Sequence, residues 1–154
     1  MHIFEKKIKE LDIILPTLSI PLANYVPYKI VDKILYISGQ GPLVDGKLIY
    51  KGKIDKDISL DEGVDAARIC CLNIIAIIKY AIEDNWDKFG EVIKIGGFVN
   101  SDPHFSDQPK IINGASDLLV KIFGDQGKHA RFAVGTNSLP RNVPVEVDAV
   151  FEIF

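Results

Sequence analysis

Two charges stand where a half-buried sheet would not ordinarily carry them. The stretch HARFAVGTNSLPRNVPVEVDAVFEIF, from His129 to Phe154, reads as two alternating apolar runs flanking a Leu-Pro turn, the pattern of a hairpin. Arg131 opens the first run and Glu146 sits inside the second. A guanidinium fork meets both oxygens of a carboxylate. A glutamate partly withdrawn from water can act as a general base or hold a water for attack. The pair would therefore suit a site that grips a small carboxylic acid and directs water at it. The same residues would equally satisfy one another as a cross-strand salt bridge at a subunit seam. Ser38, in YISGQGP, ends a strand before Gly39. It is either a simple turn serine or a hydroxyl facing a ligand beside backbone N–H groups.

Other chemistries find little support. GPLVDGKL has the glycine spacing and lysine of a P-loop, but Leu48 stands where a Ser or Thr is required and no helix follows. His2, His104 and His129 are scattered without metal-ligand spacing, and the H-x-E and P-C-x-x-C motifs of a zinc deaminase are missing. There is no G-x-S-x-G elbow and no Cys-His pairing. Cys70 and Cys71 are adjacent within an apolar helical pattern, which suits two small buried thiols and no disulfide. No metal and no cofactor is expected. His104, after Asp102-Pro103, reads as a loop residue, and His129 could face either way.

The elements that must position these residues follow from the pattern. The chain has 154 residues, 47% hydrophobic and 25% charged, which suffices for the core of a single domain. A formal net charge of −3 argues against a nucleic-acid surface. No apolar run approaches the roughly 18 residues of a membrane span. The start, MHIFEKKIKELDIILP, has mixed charges on a helical pattern rather than a signal peptide, which points to the cytoplasm. Residues 3–11 read as a short helix within an N-terminal extension of residues 1–15, and Pro16 and Pro21 bracket a loop. Turns at Asp32-Lys33 and Asp45-Gly46 predict hairpins. Ser59 and Glu62 form a capping box before a long helix that is apolar nearly all round from Ile69 to Ile78, apart from Asn73. Glu91–Ser101 reads as a strand. Pro109 opens a second helix, with Ile111, Ala115, Leu118 and Ile122 as its stripe and Gly124 as its end.

This order predicts an α+β sandwich, one mixed β-sheet with two helices packed on one face. Strand alternation then sorts the last two runs. Phe132 and Val134, with Val145, Val147, Ala149 and Phe151, belong under the helices. Arg131 and Glu146 fall together on the helix-free face, with Ala133, Gly135 and Val150. Water alone does not cover so apolar a face, so a second subunit is expected there.

Three stretches, YVPYKIVDKILYISGQGPLVDGKL, VIKIGGFVNS and ARFAVGTNSLPRNVPVEVDAVFEI, together resemble the YjgF/YER057c/UK114 family, also called the reactive intermediate deaminase (RidA) family. The likeness runs from about Leu22 to the C-terminus. Its most specific part is the A-R-x-x-V…L-P…V-E-V ending. The resemblance implies a chorismate-mutase-like fold and a homotrimer with ligand sites in the inter-subunit clefts. It implies hydrolysis of enamines and 2-imino acids to 2-keto acids and ammonia, without a cofactor. Carried over, Arg131 would bind the substrate carboxylate and Glu146 would position the attacking water. Tyr25, Ser38, Gly39 and Asn113 would line the cleft, Asn113 only if one residue is gapped before Arg131. A cysteine that many members carry is Ala133 here, and Gly124–Lys128 is an insertion at the pocket rim. The family also contains proteins named for RNA cleavage or translation inhibition, and the same cleft could hold a small carboxylate metabolite without chemistry. Pocket selectivity would rest on Tyr25, Tyr28 and Phe105.

Overall fold

A computed structural model describes residues 1–18, 21 and 23–154. Ser19, Ile20 and Leu22, in and beside the loop bracketed by Pro16 and Pro21, lie outside the described residues. In chain order the elements are α1 (Ile3–Glu10), β1 (Tyr28–Val31), β2 (Ile34–Gln40), β3 (Leu43–Val44), β4 (Lys47–Leu48), α2 (Leu60–Ala81), β5 (Phe89–Asn100), α3 (Gln108–Phe123), β6 (Ala130–Thr136) and β7 (Val145–Ile153). Five strands form one mixed sheet in the order β1-β2-β7-β5-β6, and β3-β4 is a separate two-stranded ribbon. Within that sheet β5 and β6 pair in parallel, and β1-β2, β2-β7 and β7-β5 pair antiparallel.

Local chemistry accounts for the element ends. Asp32, Asp45 and Gly46 all take positive φ, as tight hairpin turns require. The Ser59 hydroxyl accepts from the Glu62 N–H at 3.2 Å, and the Glu62 carboxylate accepts from the Ser59 N–H at 2.9 Å. This reciprocal bond starts α2. Pro109 lies in the first turn of α3, and Gly124 ends it at φ 61°.

One face of the sheet packs against α2 and α3. Leu35, Ile37, Ile95, Val99, Val145, Val147, Ala149 and Phe151 point into this core. Every residue of α2 from Ile69 to Ile78 is buried, and Asn73 is tolerated because its amide donates to Leu43 O and Ile69 O. Cys70 and Cys71 are free and buried, and desolvation pushes both thiols up, which leaves them inert. α1 docks by Phe4, whose ring meets Trp86, Phe89 and Phe123 edge-on.

α2 and α3 approach closely at Gly114, where a Cβ would collide with the Val64 carbonyl oxygen. Gly114→Ala gains about 1 kcal/mol of helix propensity. No rotamer change moves a backbone oxygen, so overpacking near the upper end, about 3 kcal/mol, outweighs that gain. Urea unfolding should show a net loss of about 2 kcal/mol.

The last two strands correct the sequence reading twice. β6 and β7 are not a hairpin, because β5 lies between them and pairs with both. The link between them crosses the end of β5 and is clamped there. Buried Asn100 donates to Val143 O and the Asn142 side chain, while Lys53 donates to the Asn100 side chain and Asn137 O. The faces also differ from expectation. Register pairs Arg131 with Ile95 and Ala133 with Gly97, on the helix side, and Phe132 with Gly96 and Val134 with Phe98, on the open side. Glu146 pairs with Phe98 and faces the open side. Apolar content misassigned β6 because its open-face residues are themselves apolar.

Candidate functional site

Arg131 lies on the edge strand β6, against the first turns of α3. Asn113 and Ser116, three residues apart, occupy one side of that helix. Arg131 Nη1 donates to Asn113 Oδ1 at 2.9 Å and to Ser116 Oγ at 3.0 Å, and Nη2 donates to Pro109 O at 3.3 Å. The Nε–H and one Nη2 proton have no acceptor among the described residues. No carboxylate pairs with Arg131 among them either. The guanidinium is thus fixed on one side and open on the other, with donors left for both oxygens of a carboxylate. Farther along the same face of β6, Ser101, Phe105, Gln108 and Gly135 line a cleft of about 370 Å³.

Glu146 is built by β7 and a β-bulge in β2. Ile37 pairs with Ala149 and Gln40 with Val147, so Ser38 and Gly39 share one position of the partner strand. The bulge turns Gly39 toward Glu146. A Cβ there would lie 2.8 Å from Glu146 Oε1, so glycine is what lets the carboxylate occupy its place. The Ser38 hydroxyl donates to Val26 O at 2.7 Å and its N–H to Pro27 O at 2.9 Å. This ties the Tyr25 segment to the strand. Tyr25 and Gly39 line a cleft of about 420 Å³ with Gln40, Asn73 and Arg141. Burial first, and then the neighbouring Asp148, raise the Glu146 carboxyl above the usual glutamate range.

The candidate residues therefore fall into two groups. Arg131 and Asn113 meet at one edge of the sheet. On the other side Gly39 lies against Glu146, Gly39 and Tyr25 share a cleft, and Ser38 ties the Tyr25 segment to the strand. The expectation that Arg131 and Glu146 share a face is overturned, and with it the cross-strand salt bridge: the two are separated by β5 and point to opposite sides. Ser38 serves the loop above it with its proton, so the turn and ligand readings are not exclusive. Sequence reasoning missed Ser116, although a serine one turn beyond Asn113 was a legible signal. It also passed over Asp148 and Arg141. His104 is an exposed loop residue, its N–H held by Asp102. Among the described residues there is no group of three or more His, Cys, Asp or Glu suited to a metal, and no helix long and apolar enough to cross a membrane.

A mixed sheet of this order with helices on one face defines the chorismate-mutase-like α+β class. The model of the family described as "YjgF/chorismate_mutase-like, putative endoribonuclease" matches residues 5–152, and the chain belongs to that family. It is 40% identical to Protein TCP17 of Trypanosoma cruzi, over 95% of this chain and 91% of that protein. Among solved structures it is similar to Atu1372 of Agrobacterium tumefaciens, at 43% identity and a TM-score of 0.92, covering 99% of this chain and 93% of that one. TdcF of E. coli, solved with bound serine, shares the fold at 22% identity and a TM-score of 0.62, over 90% of this chain and 97% of that one.

Proposed function

We propose that the protein hydrolyses 2-imino and enamine acids to 2-keto acids and ammonia, in clefts between the subunits of a homotrimer. The observation that carries this reading is the division of the site. Arg131 offers free donors to a carboxylate on one face, and Glu146 offers a desolvated carboxylate on the other. Neither group completes the other within one chain, so a functional cleft needs Arg131 of one copy and Glu146 of the next. The open sheet face supports such packing: Tyr36, Phe98 and Val134 are 48%, 37% and 43% exposed there, an apolar surface suited to a second copy. Uptake of serine by TdcF, of the same fold, fits a cleft for small amino-acid-derived carboxylates.

In this reading Arg131 holds the substrate carboxylate, while Tyr25, Ser38 and Gly39 close the cleft. Glu146 takes a proton from water as its oxygen attacks the imine carbon. Glu146 returns that proton to the nitrogen, then carries the adduct's hydroxyl proton to it as well, and the C–N bond breaks to release ammonia and leave the keto acid. An imine carbon is already electrophilic, so orientation and one proton transfer suffice. The nuclease in the family's description would ask for a basic surface, and the net charge of −3 does not favour it.

The test follows keto-acid release from freshly generated 2-iminobutyrate. Release no faster than in buffer would reject the reading, and carboxylate binding without turnover would leave a metabolite-binding protein. The shared cleft has its own test. Arg131→Ala and Glu146→Gln chains, each inactive alone, should recover about a quarter of wild-type turnover when co-assembled, because closed rings bring intact halves together. No recovery would reject the shared cleft.

A further inference from the structure

Arg131 is one end of a hydrogen-bond chain that runs past the candidate cleft. The Ser116 hydroxyl, which accepts from Arg131 Nη1 at 3.0 Å, lies 2.9 Å from His129 Nε2. His129 Nδ1 lies 2.6 Å from Gly127 O. A carbonyl oxygen only accepts, so Nδ1 carries the ring proton. Nε2 of the neutral ring is then bare, and the Ser116 proton points at it. That leaves the Ser116 oxygen's lone pairs turned to the guanidinium. Each link of this run then has one donor and one acceptor: Arg131 Nη1 to Ser116 Oγ, Ser116 Oγ to His129 Nε2 and His129 Nδ1 to Gly127 O. The opposite tautomer would set the bare Nδ1 against the Gly127 carbonyl.

The elements make this arrangement specific. His129 and Arg131 are two residues apart and share a side of the extending strand. Ser116 sits one turn after Asn113 on α3, so Arg131 is held by two side chains of a rigid helix. The Gly124–Gly127 turn sets Gly127 O under the ring. Ser116, His129 and Arg131 are half-buried, where a fixed hydrogen bond outweighs exchange with water.

We propose that His129, held as its Nδ1–H tautomer and acting through Ser116, is a positioning residue that aims Arg131 at the substrate carboxylate. Its effect on catalysis rests on the carboxylate-binding reading of Arg131. The relay governs binding, so its loss should raise KM and spare kcat.

The experiment has two arms. Nitrogen-15 NMR of labelled wild-type protein should show His129 as the Nδ1–H tautomer and slow rotation of the Arg131 Nη groups, which Ser116→Ala and His129→Ala should both release. Kinetics on 2-iminobutyrate should show KM raised about tenfold in Ser116→Ala, in His129→Ala and in the double variant alike, with kcat within about twofold, because the residues act as one unit. Ser116→Thr, which keeps the hydroxyl, should restore KM. An Nε2–H tautomer, or independent multiplying effects on KM, would overturn the relay. The NMR arm needs no substrate, so a wild type inert on imines would reject the deaminase and the proposed effect on KM, while the tautomer and the Arg131 signals still decided the relay itself.

Discussion

Arg131→Ala should lower kcat/KM for 2-iminobutyrate by about 10²- to 10³-fold and leave the assembly intact. The size follows from the bond lost. Truncating one partner of a hydrogen-bonded charge pair costs about 2–5 kcal/mol, and each 1.4 kcal/mol is about tenfold. The variant should still fold, because Arg131 lies at a sheet edge and its protein partners, Asn113, Ser116 and Pro109 O, retain access to water or to one another. Arg131→Lys should fall between, since an ammonium keeps the charge but not the fork. Steady-state kinetics with a sizing column decide the matter. An alanine variant with full turnover would remove Arg131 from the site.

Glu146→Gln should be both slower and more stable at neutral pH. Burial and Asp148 hold the folded carboxyl above its ordinary range. Ionisation is then penalised in the folded chain relative to the unfolded one, and stability falls as pH rises through the folded pKa. Below the unfolded value, about pH 4, both states keep the proton and the penalty vanishes. The glutamine variant should therefore melt higher than wild type at pH 8, and the two should converge as pH falls below about 4. Activity should move the other way. An amide takes no proton from water, so kcat should drop about 10²- to 10⁴-fold. Wild-type kcat/KM should rise with pH through an ionisation above the usual glutamate range. A variant that is slower but no more stable at pH 8 would contradict the desolvated carboxylate on which the proton transfer rests.

The relation between chain and site is instructive at particular residues. Local signals carried the elements. Ser59 and Glu62, Asp45-Gly46, Pro109 and Gly124 act on backbone groups a few positions away, so their meaning survives without knowledge of the rest of the chain. The motif-bearing strands carried the family as well, and the family model matches nearly the whole chain. Within the site, Asn113 was legible only through the resemblance. The structure sets it 2.9 Å from Arg131.

What the residues alone determined is the inventory: an arginine and a glutamate in strands that follow one another along the chain, and helices with buried stripes. Only the tertiary structure decided which strand lies beside which and which way each charge points. β5 inserts between β6 and β7, and its register turns Arg131 toward α3 and Glu146 toward the open face. The physical reason is that strand order and register are set by long-range pairing. Hydrophobic alternation can reveal the buried side of a strand only when the other side is polar. In β6 both sides are apolar, one for the helices and one for the exposed face that we propose a second copy covers, and the parity is silent there.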